Sequence, residues 1–227
     1  MGYLHHSIRD ITLPNMCGRY QLELDFGPEF RRIRVPRDYR PNRDARPTHL
    51  MPIVRLDDQG EWVAELRRWG FLRKWPGPSG KMVKKTLINS VAEEVTTKRS
   101  FKQAFATARC LVPMNAWYEW PVIDGQKTRY RIAMKDRPGF GAAGLYELSK
   151  DWDTGEPVET YTILTVSPGQ NTPLAGVHDR APLILQAKDY DAWLDPNNQL
   201  AQALIEPYSD QQAFYFEQVS RAEELKL

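Results

Sequence analysis

The chain has 227 residues, 41% of them hydrophobic, which is enough to bury one good core, so we expect a single domain. A formal net charge of +2 is only mildly basic, and an anionic partner therefore has to be recognised by a local patch rather than by the whole surface. The two cysteines form no CxxC pair and no regular framework, which argues against a disulfide scaffold and a thiolate-rich zinc site and favours a reducing cytosol.

Residues 1–15 contain no long apolar run, so we expect neither a signal peptide nor a membrane span there. They are interpreted as a disordered leader or tag, a wrongly chosen upstream start, or a genuine propeptide, and the sequence leaves these three open. Residues 16–227 are expected to form the domain.

The most distinctive stretch follows at once, where Met16 precedes Cys17. If the chain is cut after Met16 or begins there and loses it, Cys17 carries an α-amine with a pKa of about 7.7–8.0 and a thiol near 8.5. The amine can form a Schiff base with an aldehyde, and the thiol can then close on the imine carbon to give a thiazolidine, which an internal cysteine cannot do. The alternative is that Cys17 is a small apolar residue opening a strand.

The first half of the chain is predicted to be rich in strands. Residues 20–24 alternate as a half-buried strand does, residues 27–48 suggest a short helix near Phe30 followed by an irregular basic loop, and residues 50–56 and 61–69 predict a hairpin. Residues 69–77 interleave aromatic, basic and glycine residues, which fits either a base-stacking surface or a tryptophan pair in the core.

Two polar residues stand out in the middle of the chain. Asn89 ends an apolar run and is expected at a strand end, where its amide can orient a substrate or serve ordinary turn chemistry. A helix is predicted from Ser100, whose hydroxyl could cap it, to Phe105, and a strand at residues 109–113 contains Cys110 as a core residue. Glu119 lies among three aromatic rings, which should raise its pKa; the alternative is an exposed glutamate on an edge strand.

The last part of the chain predicts strands at residues 128–135, 139–148 and 159–166. His178 lies in a loop before a predicted strand at 183–185, a position that suits acid–base work although a lone histidine is more often structural. Helices are predicted at residues 188–194 and 199–205, and a short strand at 216–220.

Taken in order, five short motifs resemble those of the SRAP family, the SOS-response-associated peptidase proteins. The family's Met-Cys-Gly-Arg is similar to residues 16–19, its Trp-Gly-Leu-x-Pro-x-Trp to 69–75, its Asn-Ala-Arg-x-Glu to 89–93, its Gly-x-Tyr-Glu-Trp to 116–120 and its His-x-Arg-x-Pro to 178–182. The resemblance implies an α+β, β-rich fold with mixed, mostly antiparallel sheets, a barrel-like core and short flanking helices.

The resemblance also implies covalent capture of the ring-opened aldehyde of an abasic site in single-stranded DNA. Cys17 would be the linking nucleophile, Asn89 would position its amine or the sugar, Glu119 would move protons, and His178 would assist ring opening. The DNA-binding residues implied by the same resemblance are Arg19, Trp69, Trp75, Arg99, Thr165 and Arg180. Neither a cofactor nor a metal is implied, and the expected protein is a cytoplasmic, nucleoid-associated monomer that binds no membrane.

The sequence departs from the family pattern at several positions. The family arginine is Val91 here, which removes one expected phosphate contact, and Ala116 replaces a glycine. In the family's Pro-x-Tyr-Asn-x-Ala-Pro loop the asparagine reads Asp44 and the alanine Arg46, while Arg73 replaces a proline. DNA affinity is therefore expected to differ from that of other members.

Three functions remain open from the sequence. The first is DNA–protein crosslinking at abasic sites, with lyase-like chemistry and a peptidase activity suggested by the family name. The second is an amino-terminal-nucleophile hydrolase that processes itself, with Cys17 as nucleophile. The third is a non-catalytic adaptor that binds single-stranded DNA.

Overall fold

The computed structural model describes residues 17–219, and sixteen strands occur within that range. In chain order they are β1 (Tyr20–Leu22), β2 (Asn42–Ala45), β3 (Leu50–Leu56), β4 (Trp62–Trp69), β5 (Phe71–Pro76), β6 (Met82–Leu87), β7 (Asn89–Val91), β8 (Arg109–Met114), β9 (Ala116–Glu119), β10 (Val122–Ile123), β11 (Gln126–Lys127), β12 (Tyr130–Met134), β13 (Phe140–Lys150), β14 (Pro157–Val166), β15 (Ala181–Pro182) and β16 (Phe214–Gln218).

Helices are few and short in the same range. The two α-helices are α1 (Lys102–Thr107) and α2 (Tyr190–Leu194). Single 3₁₀ turns lie at Pro28–Phe30, Ala92–Glu94, Ala187–Asp189, Ala201–Leu204 and Gln211–Ala213. No helix among residues 17–219 is long and apolar enough to cross a membrane.

Five strands close on themselves to form a barrel. They pair in the order β13, β8, β3, β4 and β14, and β14 pairs in turn with β13. The β4–β14 pair is parallel, and the others around the ring are antiparallel. Every residue of β8 is buried, as expected for a strand with a neighbour on each side and apolar packing on both faces. The α+β, β-rich fold with a barrel-like core is therefore confirmed.

A second, wholly antiparallel sheet has the strand order β16, β12, β9, β1, β2. Edge-to-face ring contacts join it to the barrel, with Tyr20 of β1 at 5.1 Å from Trp69 and Trp117 of β9 at 6.0 Å from Phe140. Because Tyr20 pairs with Trp117 in antiparallel register, the residues just before β1 lie beside the carboxyl end of β9. This register brings Cys17 to Glu119.

Two further features of the barrel wall complete the frame of the site. The short strand β7 runs parallel to β14, with Asn89 opposite Ile163, and so brings the start of β7 to the same region. Between β4 and the β5–β6 hairpin, Gly70 has a φ of 114°, and a Cβ there would overlap with Cγ2 of Thr86. The chain turns into the hairpin at this point because glycine has no Cβ.

Most of the predicted elements are confirmed, including the β3–β4 hairpin, the helix that is α1, and the strands β8, β12, β13 and β14. The irregular loop predicted over residues 27–48 is wrong at Asn42–Ala45, because backbone pairing with β1 holds these polar residues as β2. The β5–β6 hairpin was not predicted as such, since its lysines resemble those of a loop. Ser100 does not cap α1, whose N-cap is Phe101 without a side-chain hydrogen bond.

The strand predicted at 183–185 is also wrong, since pairing here is limited to β15 and a single bridge at Ile184. Cys110 is fully buried, as predicted for a core residue. The leader expected at residues 1–15 lies outside the described residues, and the division of the chain at residue 16 stays a prediction.

Candidate active site

Cys17 occupies a buried turn just before β1. Its side chain is 2% exposed, and its backbone has a φ of 37°, in the left-handed region that L-residues rarely adopt. Both its backbone N–H and its Sγ–H donate to the same oxygen, Oε1 of Glu119, at 3.2 and 2.8 Å. The two groups that would become nucleophiles in a chain beginning at Cys17 therefore face one carboxyl.

Glu119 ends β9, a strand with a neighbour on each side, and is 2% exposed. Burial raises its pKa to about 7, and the charge of Asp179 adds to this, while the hydrogen bonds from Cys17 act in the opposite direction. The raised pKa predicted from the aromatic neighbours is confirmed, and the alternative of an exposed glutamate on an edge strand is wrong. A carboxyl with a pKa near 7 can both give and take a proton at neutral pH.

The thiol of Cys17 has a different electrostatic environment. Burial raises its pKa well above the ordinary value, the negative charge of Glu119 raises it further, and the charge of Arg180 opposes both. The raised pKa keeps the thiol neutral at physiological pH. Oε1 of Glu119, which accepts the hydrogen bond from Sγ at 2.8 Å, is positioned to receive its proton.

Asn89 and His178 lie at the edge of this pair. The Asn89 side-chain amide donates to the carbonyl of Cys17 at 3.5 Å. His178 lines a pocket of about 340 Å³ together with Glu119, and its Nδ1 accepts from the backbone N–H of Arg180 at 3.0 Å. The pocket is lined by Gly18, Arg19, Pro47, Glu119, Trp120, Lys127 and His178. All four sequence-derived catalytic candidates therefore meet in one place.

Arg180 contacts the pocket residue His178 through its backbone, and its guanidinium is already paired. Two of its nitrogens donate to the two oxygens of Glu93 at 2.9 and 2.7 Å, and one of them also donates to the carbonyl of Thr165. Its side chain is 14% exposed, against 43% for Glu93. A phosphate reaching Arg180 would have to compete with or join this carboxylate.

The profile model of the family described as "SOS response associated peptidase (SRAP)" matches residues 16–223. The chain belongs to the SRAP family. Curated SRAP relatives are the "Abasic site processing protein YoqW" of Bacillus subtilis, 31% identical over 85% of this chain and 88% of the relative, and the "Abasic site processing protein HMCES" of Xenopus tropicalis, 28% identical over 69% and 54%.

Solved structures agree with the SRAP fold. A crystal structure from Bordetella bronchiseptica superposes with a TM-score of 0.73 at 22% identity, covering 90% of this chain and all of that one. A second, from Bacteroides thetaiotaomicron, has a TM-score of 0.68 at 25% identity and covers 82% of this chain and 80% of the other. The barrel and its flanking sheet are therefore shared with known proteins.

Two DNA-binding assignments made from the SRAP resemblance need correction. Trp69 is fully buried, donates from Nε1 to the carbonyl of Ile88 at 2.9 Å and packs against Tyr20 and Tyr161, so it is a core residue and cannot stack on a base. Thr165 is also fully buried in β14, where its hydroxyl donates to the carbonyl of Ser90 at 3.4 Å. Both side chains are buried, so neither is accessible to DNA in this structure.

The other SRAP-derived DNA contacts are accessible to different degrees. Trp75 is 42% exposed on the β5–β6 hairpin, and Arg99 is exposed just before α1. Arg19 is 30% exposed in its side chain and lines the pocket. These three remain predictions for contact with DNA.

Sequence reasoning missed one charged cluster of this SRAP chain. Asp44 of β2 is buried and pairs with Arg19, Arg46 and Arg129 at 2.6 to 3.0 Å. The sequence carries a signal for this cluster, because Asp44 and Arg46 both depart from the family pattern. Arg19 reaches Asp44 because β1 pairs with β2, a pairing that the sequence does not predict. Among residues 17–219 no group of three or more side chains is suited to hold a metal ion.

Proposed function

We propose that this chain processes abasic sites in DNA by forming a covalent crosslink through Cys17. Relatives at up to 31% identity are named abasic site processing proteins, and this supports the assignment. The observation that carries the proposal is that the backbone nitrogen and the thiol of Cys17 share one oxygen of Glu119. A residue with two nucleophiles and one common proton acceptor suits capture of an aldehyde.

The reaction requires Cys17 to be the first residue, since its nitrogen is an amide while Met16 is attached. The freed amine attacks C1′ of the ring-opened sugar and forms an N–C bond, and a proton moves from the nitrogen to the former carbonyl oxygen. Protonated Glu119 then gives its proton to the resulting hydroxyl, which leaves as water, and a protonated Schiff base remains.

In the second stage the thiol of Cys17 attacks the same carbon. Glu119, now ionised, takes the thiol proton, an S–C bond forms, and the iminium electron pair returns to nitrogen to give a neutral thiazolidine. Glu119 ends protonated, as it began, so one carboxyl serves both stages. Burial raises the pKa of Glu119 above its ordinary value, which favours the protonated form that starts the first stage and ends the second.

The neighbouring residues have supporting roles in this proposal. Asn89 orients Cys17 through its carbonyl, and His178 faces the pocket where the sugar would open. Trp75, Arg99, Arg19 and Arg180 would contact the DNA strand, which we propose to be single-stranded because an unpaired strand leaves the sugar free to enter the pocket and the bases free to stack on Trp75. We further propose that the protein acts as a monomer on chromosomal DNA.

The test is to incubate protein whose first residue has been verified as Cys17 by intact mass with a single-stranded oligonucleotide that contains one abasic site. A denaturation-stable adduct is expected with the mass of protein plus DNA minus one water. Cys17→Ala should abolish it and Cys110→Ala, which alters the other buried cysteine, should retain it. An adduct of equal yield in Cys17→Ala would refute the proposal.

Two other functions give different results in the same experiments. A self-processing peptidase would lose residues 1–16 in the wild type and keep them in Cys17→Ala, whereas methionine removal from a start at Met16 would not depend on the thiol. A non-catalytic adaptor would bind DNA reversibly with no dependence on the lesion or on Cys17.

A further inference from the structure

A cluster of three arginines around one carboxylate lies beside the reactive pocket. Oδ2 of Asp44 accepts from Nη1 of Arg19 at 2.6 Å and from Nε of Arg46 at 2.7 Å, and it forms an ion pair with Nη2 of Arg46 at 2.6 Å. Oδ1 of Asp44 accepts from Nη2 of Arg129 at 3.0 Å. Asp44 is 4% exposed in its side chain, so a single buried anion holds three guanidinium groups.

The three arginines differ in their access to solvent. Arg129 is 5% exposed and lies over the ring of Tyr118, with its guanidinium carbon 3.9 Å from the ring centroid, so it is the buried member of the cluster. Arg19 and Arg46 are 30% and 53% exposed and lie side by side, because they share one oxygen of Asp44. Within residues 17–219, Nε and Nη2 of Arg19 and Nη1 of Arg46 make no hydrogen bond.

The charges in this cluster do not balance. One carboxylate neutralises one of three permanent positive charges, and two remain on the exposed side. The nearby His49, whose Nδ1 accepts from the backbone N–H of Arg46 at 3.3 Å, is affected by this excess. Burial is the main cause that lowers the pKa of His49, and the positive charges of Arg46 and Arg19 lower it further, against the effect of Asp44. Two adjacent guanidinium groups with unused donors are suited to a tetrahedral oxyanion.

The cluster is also continuous with the pocket that contains Glu119. Arg19 lines that pocket, and so does Pro47, the residue after Arg46. A strand whose abasic sugar enters the pocket therefore passes its neighbouring phosphate close to these two arginines.

We propose that Arg19 and Arg46 form a clamp for one phosphodiester of the DNA strand next to the captured nucleotide, with Asp44 as the residue that positions both. The proposal rests on the proposed function for its choice of ligand. It assigns a binding role to Arg46 and a positioning role to Asp44. Arg129 supports the clamp through the other oxygen of Asp44.

The test measures reversible binding of a labelled oligothymidylate without any lesion, so that no covalent step enters. Arg46→Ala is expected to reduce the slope of log affinity against log salt by about 0.7, the value for one phosphate contact on a single strand, and to weaken binding about fivefold at 0.1 M salt. Arg46→Lys keeps the charge and should keep the slope. Arg32→Ala removes an equal charge from an exposed position that takes no part in the cluster and should leave the slope unchanged.

The clamp is refuted if Arg46→Ala matches the wild type or Arg32→Ala in slope and affinity, or if Arg46→Lys loses as much slope as Arg46→Ala. Circular dichroism of each variant confirms that it is folded, which is expected because Arg46 is half exposed. A wild type that forms no adduct but shows the Arg46 effect would refute the proposed function alone. A wild type that forms the adduct and shows no Arg46 effect would refute the clamp alone.

Discussion

Replacing Glu119 by glutamine tests whether burial holds this carboxyl partly protonated at neutral pH. The side chain is 2% exposed, and burial raises its pKa from 4.5 to about 7. The amide of glutamine keeps an oxygen that accepts from Cys17 but has no proton to lose. The stability of the wild type should therefore depend on pH in a way that the stability of Glu119→Gln does not.

The sign and size follow from the two pKa values. At pH values between the pKa of Glu119 in the unfolded state and its pKa in the folded state, the folded state holds a proton that the unfolded state has released. The free energy of unfolding therefore falls as the pH rises. With 4.5 in the unfolded state and about 7 in the folded state, this carboxyl lowers the free energy of unfolding by about 2.5 kcal/mol between pH 5 and pH 8. Most of the decrease lies below pH 7.

The assay is urea unfolding of both proteins at unit steps from pH 5 to pH 8, on chains that retain Met16. A free Cys17 amine would place a positive charge beside Glu119 and lower its pKa, so the two forms must not be mixed. From pH 5 to pH 8, the free energy of unfolding of Glu119→Gln should rise by about 2.5 kcal/mol relative to that of the wild type. The control variant Glu61→Gln, at an exposed site, should show no such change. A difference constant to within about 0.5 kcal/mol across this range would refute the reasoning.

Three further predictions test other parts of the molecule. At pH 8, Glu119→Gln should speed alkylation of Cys17 by iodoacetamide, because loss of the adjacent negative charge lowers the pKa of the thiol. Peptide mass mapping should show the same rate of alkylation at Cys110 in both proteins, and equal rates at Cys17 would contradict the prediction. Asp44→Asn should cost about 3 kcal/mol at pH 7 by leaving buried Arg129 without its anion. Burial opposes ionisation of Asp44, but Arg46 and Arg19 outweigh it and lower the pKa of this carboxyl. The cost of Asp44→Asn should therefore persist below the ordinary pKa of an aspartate and vanish as the pH falls through the lowered pKa of Asp44. Urea unfolding of both proteins in acid measures this, and a cost that does not vanish at low pH would contradict it. Gly70→Ala should lower the free energy of unfolding by about 2 kcal/mol or more, because the new Cβ overlaps with Thr86, and adding Thr86→Ser should recover part of that loss. Gly60→Ala, at a position with open space around it, should cost less. Thermal denaturation measures these losses, and equal losses at the two glycines would count against the steric argument.

The strands of the barrel could be predicted from the sequence because they carry their own signals, whereas the barrel-like core was expected from the family resemblance. β3 and β4 alternate about a polar turn, and β8, β13 and β14 are rich in apolar residues. β2 and the β5–β6 hairpin were missed because their charged residues resemble those of a loop and because pairing, not propensity, holds them as strands. Such pairing is a property of the fold and is not visible in a local window of sequence.

In the candidate site, too, residues with a local sequence signal could be predicted and residues that depend on distant contacts could not. Glu119 could be predicted as a group with a raised pKa from three neighbouring rings, and short motifs brought Cys17, Asn89 and His178 into consideration. Trp69 misled the prediction because glycine and basic residues adjoin it, although its place at the end of an alternating strand directs it into the core. The Asp44 cluster depends on contacts between residues up to 85 positions apart, which no local pattern contains.

The left-handed backbone of Cys17 has a consequence for the bond that precedes it. The angle φ is defined by the carbonyl carbon of the preceding residue, and at 37° a non-glycine residue is strained by about 1–2 kcal/mol. Once Met16 is gone, that dihedral no longer exists and its strain is released. A folded chain that begins at Cys17 therefore has less backbone strain than one with an intact peptide bond before Cys17. The release of this strain favours removal of Met16.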